Sequence, residues 1–122
     1  MIRLRVPFLA LPLFLALAQG CLAGPPATSW NTVSFDRMSV ADCVRWGARA
    51  LEAEGYTNVQ PLQNDLYGVK GQHGAIVVCS APPTVTIVIA TSAASADATR
   101  EQQALQNRFQ LESRLHERDR RR

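Results

Sequence analysis

Apolar and polar residues recur along this chain with two different periods, and the switch between them marks the elements. Val40, Cys43, Val44, Gly47 and Leu51 return at three- and four-residue intervals, with Asp42, Arg45, Arg49 and Glu52 on the opposite side. That spacing predicts an amphipathic helix from 40 to about 54. Ser39-Val40-Ala41-Asp42 marks its start as a capping-box variant, in which the Ser39 hydroxyl accepts from the Asp42 N–H. Gly55 supplies the stop. Gly47 costs helix propensity in the middle of the apolar face, which predicts close contact with a strand beneath it.

Beyond the helix the period falls to two. Residues 56–62 form a short run with Pro61 near its end, the mark of an edge strand. Residues 66–70 form a second run. Residues 75–79 (AIVVC) are apolar on both faces and predict a central strand. In 84–90 (TVTIVIA), Val85, Ile87 and Ile89 share one face. The turns between these runs are short, which predicts an antiparallel meander. A last helix is expected from near Ser95 to about 117, with Leu105/Phe109 and Leu111/Leu115 as i,i+4 pairs. The expected fold is α+β: a four-stranded antiparallel meander with an N-terminal and a C-terminal helix on one face, in the order α-β-β-β-β-α.

The N-terminal region follows a different pattern. Met1 to Arg5 is a basic stretch, and residues 6–18 (VPFLALPLFLALA) are apolar. This is the layout of a secretory signal peptide. A membrane-spanning helix needs about 20 apolar residues, and here Pro7 and Pro12 interrupt a shorter run. Three cleavage readings stand side by side. Ala16-Leu17-Ala18 permits a cut before Gln19, and Cys21-Leu22-Ala23 a cut before Gly24. Ala18-Gln19-Gly20-Cys21 resembles a bacterial lipobox, which implies lipidation of Cys21. Residues 24–36 are rich in Pro, Ser and Thr and read as a tether or irregular arm, with Trp30 and Phe35 as its large apolar groups. The chain thus divides into a signal peptide (1–20), a tether or arm (21–37), one small domain (38–117) and a basic tail (118–122).

Cysteine count and charge sharpen this picture. With Cys21 lipidated or removed, Cys43 and Cys79 remain as a pair, and export to an oxidising compartment favours a disulfide between them. The formal net charge is +3, but the excess arginine sits in the leader and the tail. Between Gly24 and Leu111 acidic residues slightly outnumber basic ones, so the pI does not describe a nucleic-acid-binding surface.

The chain resembles small exported bacterial proteins of unknown function that carry one cysteine in an opening helix and one in a central strand. Asp42-Cys43, Ala50-Leu51, Glu54-Gly55-Tyr56, Val69, Gly71, Ile76-Val77-Val78-Cys79 and the run from Val85 to Ala90 carry the resemblance. It implies an architecture and an address and brings no activity with it.

Chemistry-bearing motifs are sparse. The histidines are His73, in a glycine-flanked turn, and His116, near the end of the last helix. A hydrolase would need His73 oriented by a carboxylate, and Asp65 is the nearest in sequence. No serine has a G-x-S-x-G or S-x-x-K context. Cys43, Cys79 and His73 lack the close paired spacing of a zinc site, so neither a metal nor another cofactor is expected. A binding role fits better. Ile76 and Val78 point away from the helix-covered face, so the second face of the sheet carries apolar groups for a partner or a second copy of the chain. Trp46, on the flank of the first helix, and His73 are further candidate contact residues. The expected function is that of an exported envelope protein, periplasmic or tethered through Cys21, acting as a non-catalytic binding or structural module. The expected partner is an envelope protein or surface component. The competing readings are a small hydrolase using His73 and an exported enzyme inhibitor using the Pro82-Pro83 loop.

Overall fold

The computed structural model describes residues 27–122. Five strands and two helices follow one another as β1 (Ala27–Ser34), α1 (Val40–Ala53), β2 (Thr57–Leu62), β3 (Asp65–Lys70), β4 (His73–Val78), β5 (Thr84–Thr91) and α2 (Ser95–Arg120). The strands form one antiparallel sheet in the order β1-β5-β4-β3-β2. Both helices lie on the same side of it.

The ends of α1 are built by the residues that the sequence marks. The Ser39 hydroxyl accepts from the Asp42 N–H at 3.0 Å, and the Asp42 carboxylate accepts from the Ser39 N–H at 3.3 Å. At the other end Gly55 takes φ +88°, a left-handed turn that costs glycine little. Gly55 N–H then donates to Glu52 O and Tyr56 N–H to Leu51 O, which satisfies two of the terminal carbonyls.

The core fills the space between helices and sheet. Cys43, Trp46, Ala50 and Leu51 of α1 meet Leu66, Ala75, Val77, Val85, Ile87 and Ile89 of the strands and Ala98, Leu105 and Phe109 of α2. Gly47 permits the closest approach of α1: a Cβ there would lie 2.8 Å from Leu66 Cδ1 and 3.2 Å from Val77 Cγ1. The Cys43–Cys79 disulfide staples α1 to the segment just past β4, with a Cα–Cα distance of 5.6 Å. Closing a loop of 36 residues limits the unfolded chain, an effect of roughly 3–4 kcal/mol.

Three expectations need correction. The sheet has five strands, not four, because residues 27–34 pair along their whole length with β5. Residues 27–34 of the segment expected to be an irregular arm are therefore part of the domain, which was expected to start at 38. Its strand-forming character lies in alternation, with Ala27 and Val33 packed on the core and Thr and Trp turned away. At the far end α2 runs through Arg120, so most of the expected basic tail is helix. Leu111 and Leu115 fall outside the buried stripe of Ala98, Gln102, Leu105 and Phe109 and stay exposed.

Candidate functional site

The strand alternation separates the sheet into two unlike faces. Ala75, Val77, Val85, Ile87 and Ile89 face the helices and are buried. The residues between them face a side that no element of the described chain covers. Here the register aligns one row across all five strands: Trp30 opposite Val88, Val88 opposite Ile76, Ile76 opposite Tyr67, and Tyr67 opposite Gln60. Trp30 is 67% exposed, whereas Val88, Ile76 and Tyr67 are half-buried. A shallow depression of about 270 Å³ lies beside the Tyr67–Ile76–Val88 part of this row, lined also by Gly74 and Ala90, with Gln72 and Ser92 at its polar end. Gly74 opens it, because a Cβ there would stand 3.7 Å from the Tyr67 ring.

This face is nearly free of charge. Thr28, Thr32 and Ser34 flank Trp30 on β1, and Thr84 and Thr86 continue the polar, uncharged border on β5. The Thr32 and Thr86 hydroxyls share a hydrogen bond of 2.9 Å. The one carboxylate in these strands is Asp65, at the rim, and its Oδ1 accepts from the Cys79 N–H at 2.8 Å. Ile76 and Val78 lie on this face, where the alternation of β4 puts them.

The expected arm does not cover the face. Trp30 joins it from the edge, and Phe35 goes the other way into the core. The Phe35 ring packs 5.4 Å from Phe109 and 6.2 Å from Trp46.

Trp46 is a core residue rather than a contact residue. It is 2% exposed and packs against the rings of Phe35, Phe109 and His116. Its indole N–H is buried and meets no acceptor among the described residues.

His73 belongs to β4, not to a solvated turn, and faces the helices. Its Nδ1 lies 2.8 Å from Thr91 Oγ1, and its Nε2 lies 4.0 Å from Glu101 Oε1. Thr91 is itself buried and also accepts from the Ala93 N–H at 3.0 Å. Glu101 is the hub of this cluster. It accepts from Lys70 Nζ at 3.2 Å through both oxygens and from the Tyr56 hydroxyl at 3.0 Å. Burial, reinforced by the Glu101 charge and hydrogen bond, pushes the Tyr56 phenol well above its ordinary range. The cluster ties the first turns of α2 to β3, β4 and the end of α1.

Asp65 does not orient His73. The two occupy opposite ends of the β3–β4 hairpin, since Lys70 is the register partner of His73. The nearest carboxylate to His73 is Glu101, and Thr91, the hydroxyl in contact with the ring, is too deeply buried to meet a substrate. Among the described residues no group of three or more His, Cys, Asp or Glu side chains is placed to hold a metal ion.

Of the residues singled out from the sequence, Ile76 lies in this row and Val78 in the neighbouring one, opposite Thr86, while Tyr67 and Val88 join the row only through the strand register. The alternation in Thr28-Ser29-Trp30-Asn31-Thr32 was the available signal for Trp30. Sequence reasoning missed Glu101, which lies 28 residues from His73 in the chain and meets it only through the packing of α2. Cys21 lies outside the described residues.

Comparison with family models, curated proteins and solved structures gives no significant match to this chain. The disulfide indicates an oxidising, extracytoplasmic environment. Among the described residues no helix is long and apolar enough to cross a membrane.

Proposed function

We propose that this protein is an exported, non-catalytic module of the cell envelope that uses the open face of its sheet to dock an envelope protein or surface component. The observation that carries the reading is the row Trp30–Val88–Ile76–Tyr67, an apolar strip on a face with one carboxylate, Asp65, at its rim. Soluble domains seldom leave a continuous apolar patch without a use for it. The apolar row and its Thr and Ser border suit an uncharged ligand surface, since a charged one would lose hydration there without gaining a counter-charge.

Lipidation of Cys21 belongs to the same proposal. The first described strand begins at Ala27, so a lipid on Cys21 would hold the domain within roughly 20 Å of the bilayer surface, the reach of six extended residues. Docking would then happen at the membrane.

Two measurements test the reading. Intact mass of the protein from membrane and soluble fractions, with and without reductant, gives the mature N-terminus and any acyl group. A soluble chain starting at Gln19 or Gly24 removes the tether. A photo-crosslinking residue at Val78 should give a discrete adduct in intact cells, and one at Arg49 on α1 should not. Ile76→Lys, elsewhere on the open face, should abolish the adduct. Equal labelling from both positions, or none from Val78, would overturn the docking role.

A further inference from the structure

The two edges of the sheet are built differently. β2 is a guarded edge. Asn58 takes a positive φ of 53°, the register shifts between Thr57 and Gln60, and Pro61 removes a backbone donor. These are the devices by which sheets refuse another strand. β1 has none of them. Its eight residues, ATSWNTVS, contain no proline and no charge, and its register with β5 is unbroken from Ala27 to Ser34.

The backbone groups of β1 that face outward can be assigned. Phe35 N–H donates to the Pro83 carbonyl at 2.9 Å. Continuing that antiparallel pattern in the observed register turns the backbone groups of Asn31 and Val33 toward β5. Those of Thr28, Trp30, Thr32 and Ser34 then point away from the sheet. Among the described residues the Thr32 N–H is met locally, by Asn31 Oδ1 at 2.9 Å, and this edge is a regular ladder that no further strand pairs.

We infer that β1 pairs antiparallel with β1 of a second copy of this chain, about a two-fold axis that passes near Trp30. Three observations favour a second copy. An uncharged strand opposes itself without like-charge repulsion. Trp30 sits at mid-strand, so a two-fold pairing brings the two exposed indoles together over the junction. The guarded β2 edge prevents head-to-tail addition, so pairing closes at two copies and does not run on into a fibre. The product is a ten-stranded sheet whose open faces are continuous. This inference does not depend on what docks there.

Sedimentation equilibrium of the oxidised protein, in the form the cell processes, tests it directly. The expected result is a monomer–dimer equilibrium with no larger species. Trp30→Lys should give a monomer, as should Trp30→Glu, while an equimolar mixture of the two should recover a dimer. Thr32→Pro removes an outward N–H that β5 does not use, so it should also give a monomer with an unchanged circular dichroism spectrum. A monomer at every concentration would overturn the inference, as would open-ended polymers. A dimer indifferent to all three substitutions would show that another surface is used, and would equally overturn it. The Val78 crosslink to a foreign partner is a separate readout, so failure of one proposal is distinguishable from failure of the other.

Discussion

The Tyr56 hydroxyl donates to Glu101 Oε2 at 3.0 Å, joining the residue that ends the α1 cap to the first turns of α2. Tyr56 is buried and Lys70 approaches its ring, with Nζ 5.6 Å from the centroid. Tyr56→Phe should therefore lower stability by about 1.5–3 kcal/mol, the range for a hydrogen bond to a charged group. The phenol is also raised in the folded state. Its contribution is complete below the ordinary tyrosine value of about 10 and is lost as pH rises above it. Urea unfolding across alkaline pH should show a decline in the native protein that Tyr56→Phe reduces. Ultraviolet titration should find the Tyr56 phenol ionising above the ordinary tyrosine range, an effect absent from Tyr56→Phe.

The disulfide should account for a large part of the stability of so small a domain. The double variant Cys43→Ala, Cys79→Ala should lose roughly 3–4 kcal/mol by the loop-entropy estimate. The unfolding midpoint of the native protein in reductant should fall toward that of the variant. An unchanged midpoint in both cases would mean that packing around Val77 and Leu51 holds α1 to the sheet without the staple.

Trp30 and Trp46 should behave as opposites. Trp46→Ala empties a buried site and should cost about 3–5 kcal/mol. Trp30→Ala, at low protein concentration, should change stability by no more than about 0.5 kcal/mol. Fluorescence separates them. Trp30→Phe should leave the blue-shifted emission of a buried indole, and acrylamide should quench it poorly.

Asp42 predicts the acid limb. Burial alone would raise its carboxyl, but the Ser39 hydrogen bonds, with the positive charges of His116 and Arg45, outweigh that and hold it below its ordinary value. A carboxyl depressed in the folded state stabilises above the unfolded value of 3.8, and the effect is lost as pH falls below it. Asp42→Asn should be less stable than the native protein at neutral pH, and the two should converge below that value. A gap that persists in strong acid would assign the loss to helix geometry rather than to charge.

Much of the fold is legible in the residues themselves because its signals are local. The capping box Ser39/Asp42, the Gly55 stop and the bare Gly47 under Leu66 and Val77 each act within a turn of helix or at one contact. Alternation in 84–91 sets the buried face of β5 directly, and Cys43 and Cys79 are the two cysteines of the helix-and-sheet region that the disulfide joins. Gly71, at φ 56°, opens the tight β3–β4 turn within the glycine-flanked stretch where a turn was expected.

Local residue patterns thus specify the two helices, the four-strand run from β2 to β5, and the bridge between Cys43 and Cys79. The remaining features come from the packing of distant segments. β1 becomes a strand only by pairing with β5, more than fifty residues further on, since its Thr- and Ser-rich alternation buries too little to form one unaided. Trp46 is core because Phe35, in the loop after β1, and Phe109, on α2, close over it. Glu101 reaches His73, Lys70 and Tyr56 only once α2 lies across the sheet. Local preference sets each element within a few residues, whereas partners that distant in the chain are chosen by how whole elements pack, which no short window of residues encodes.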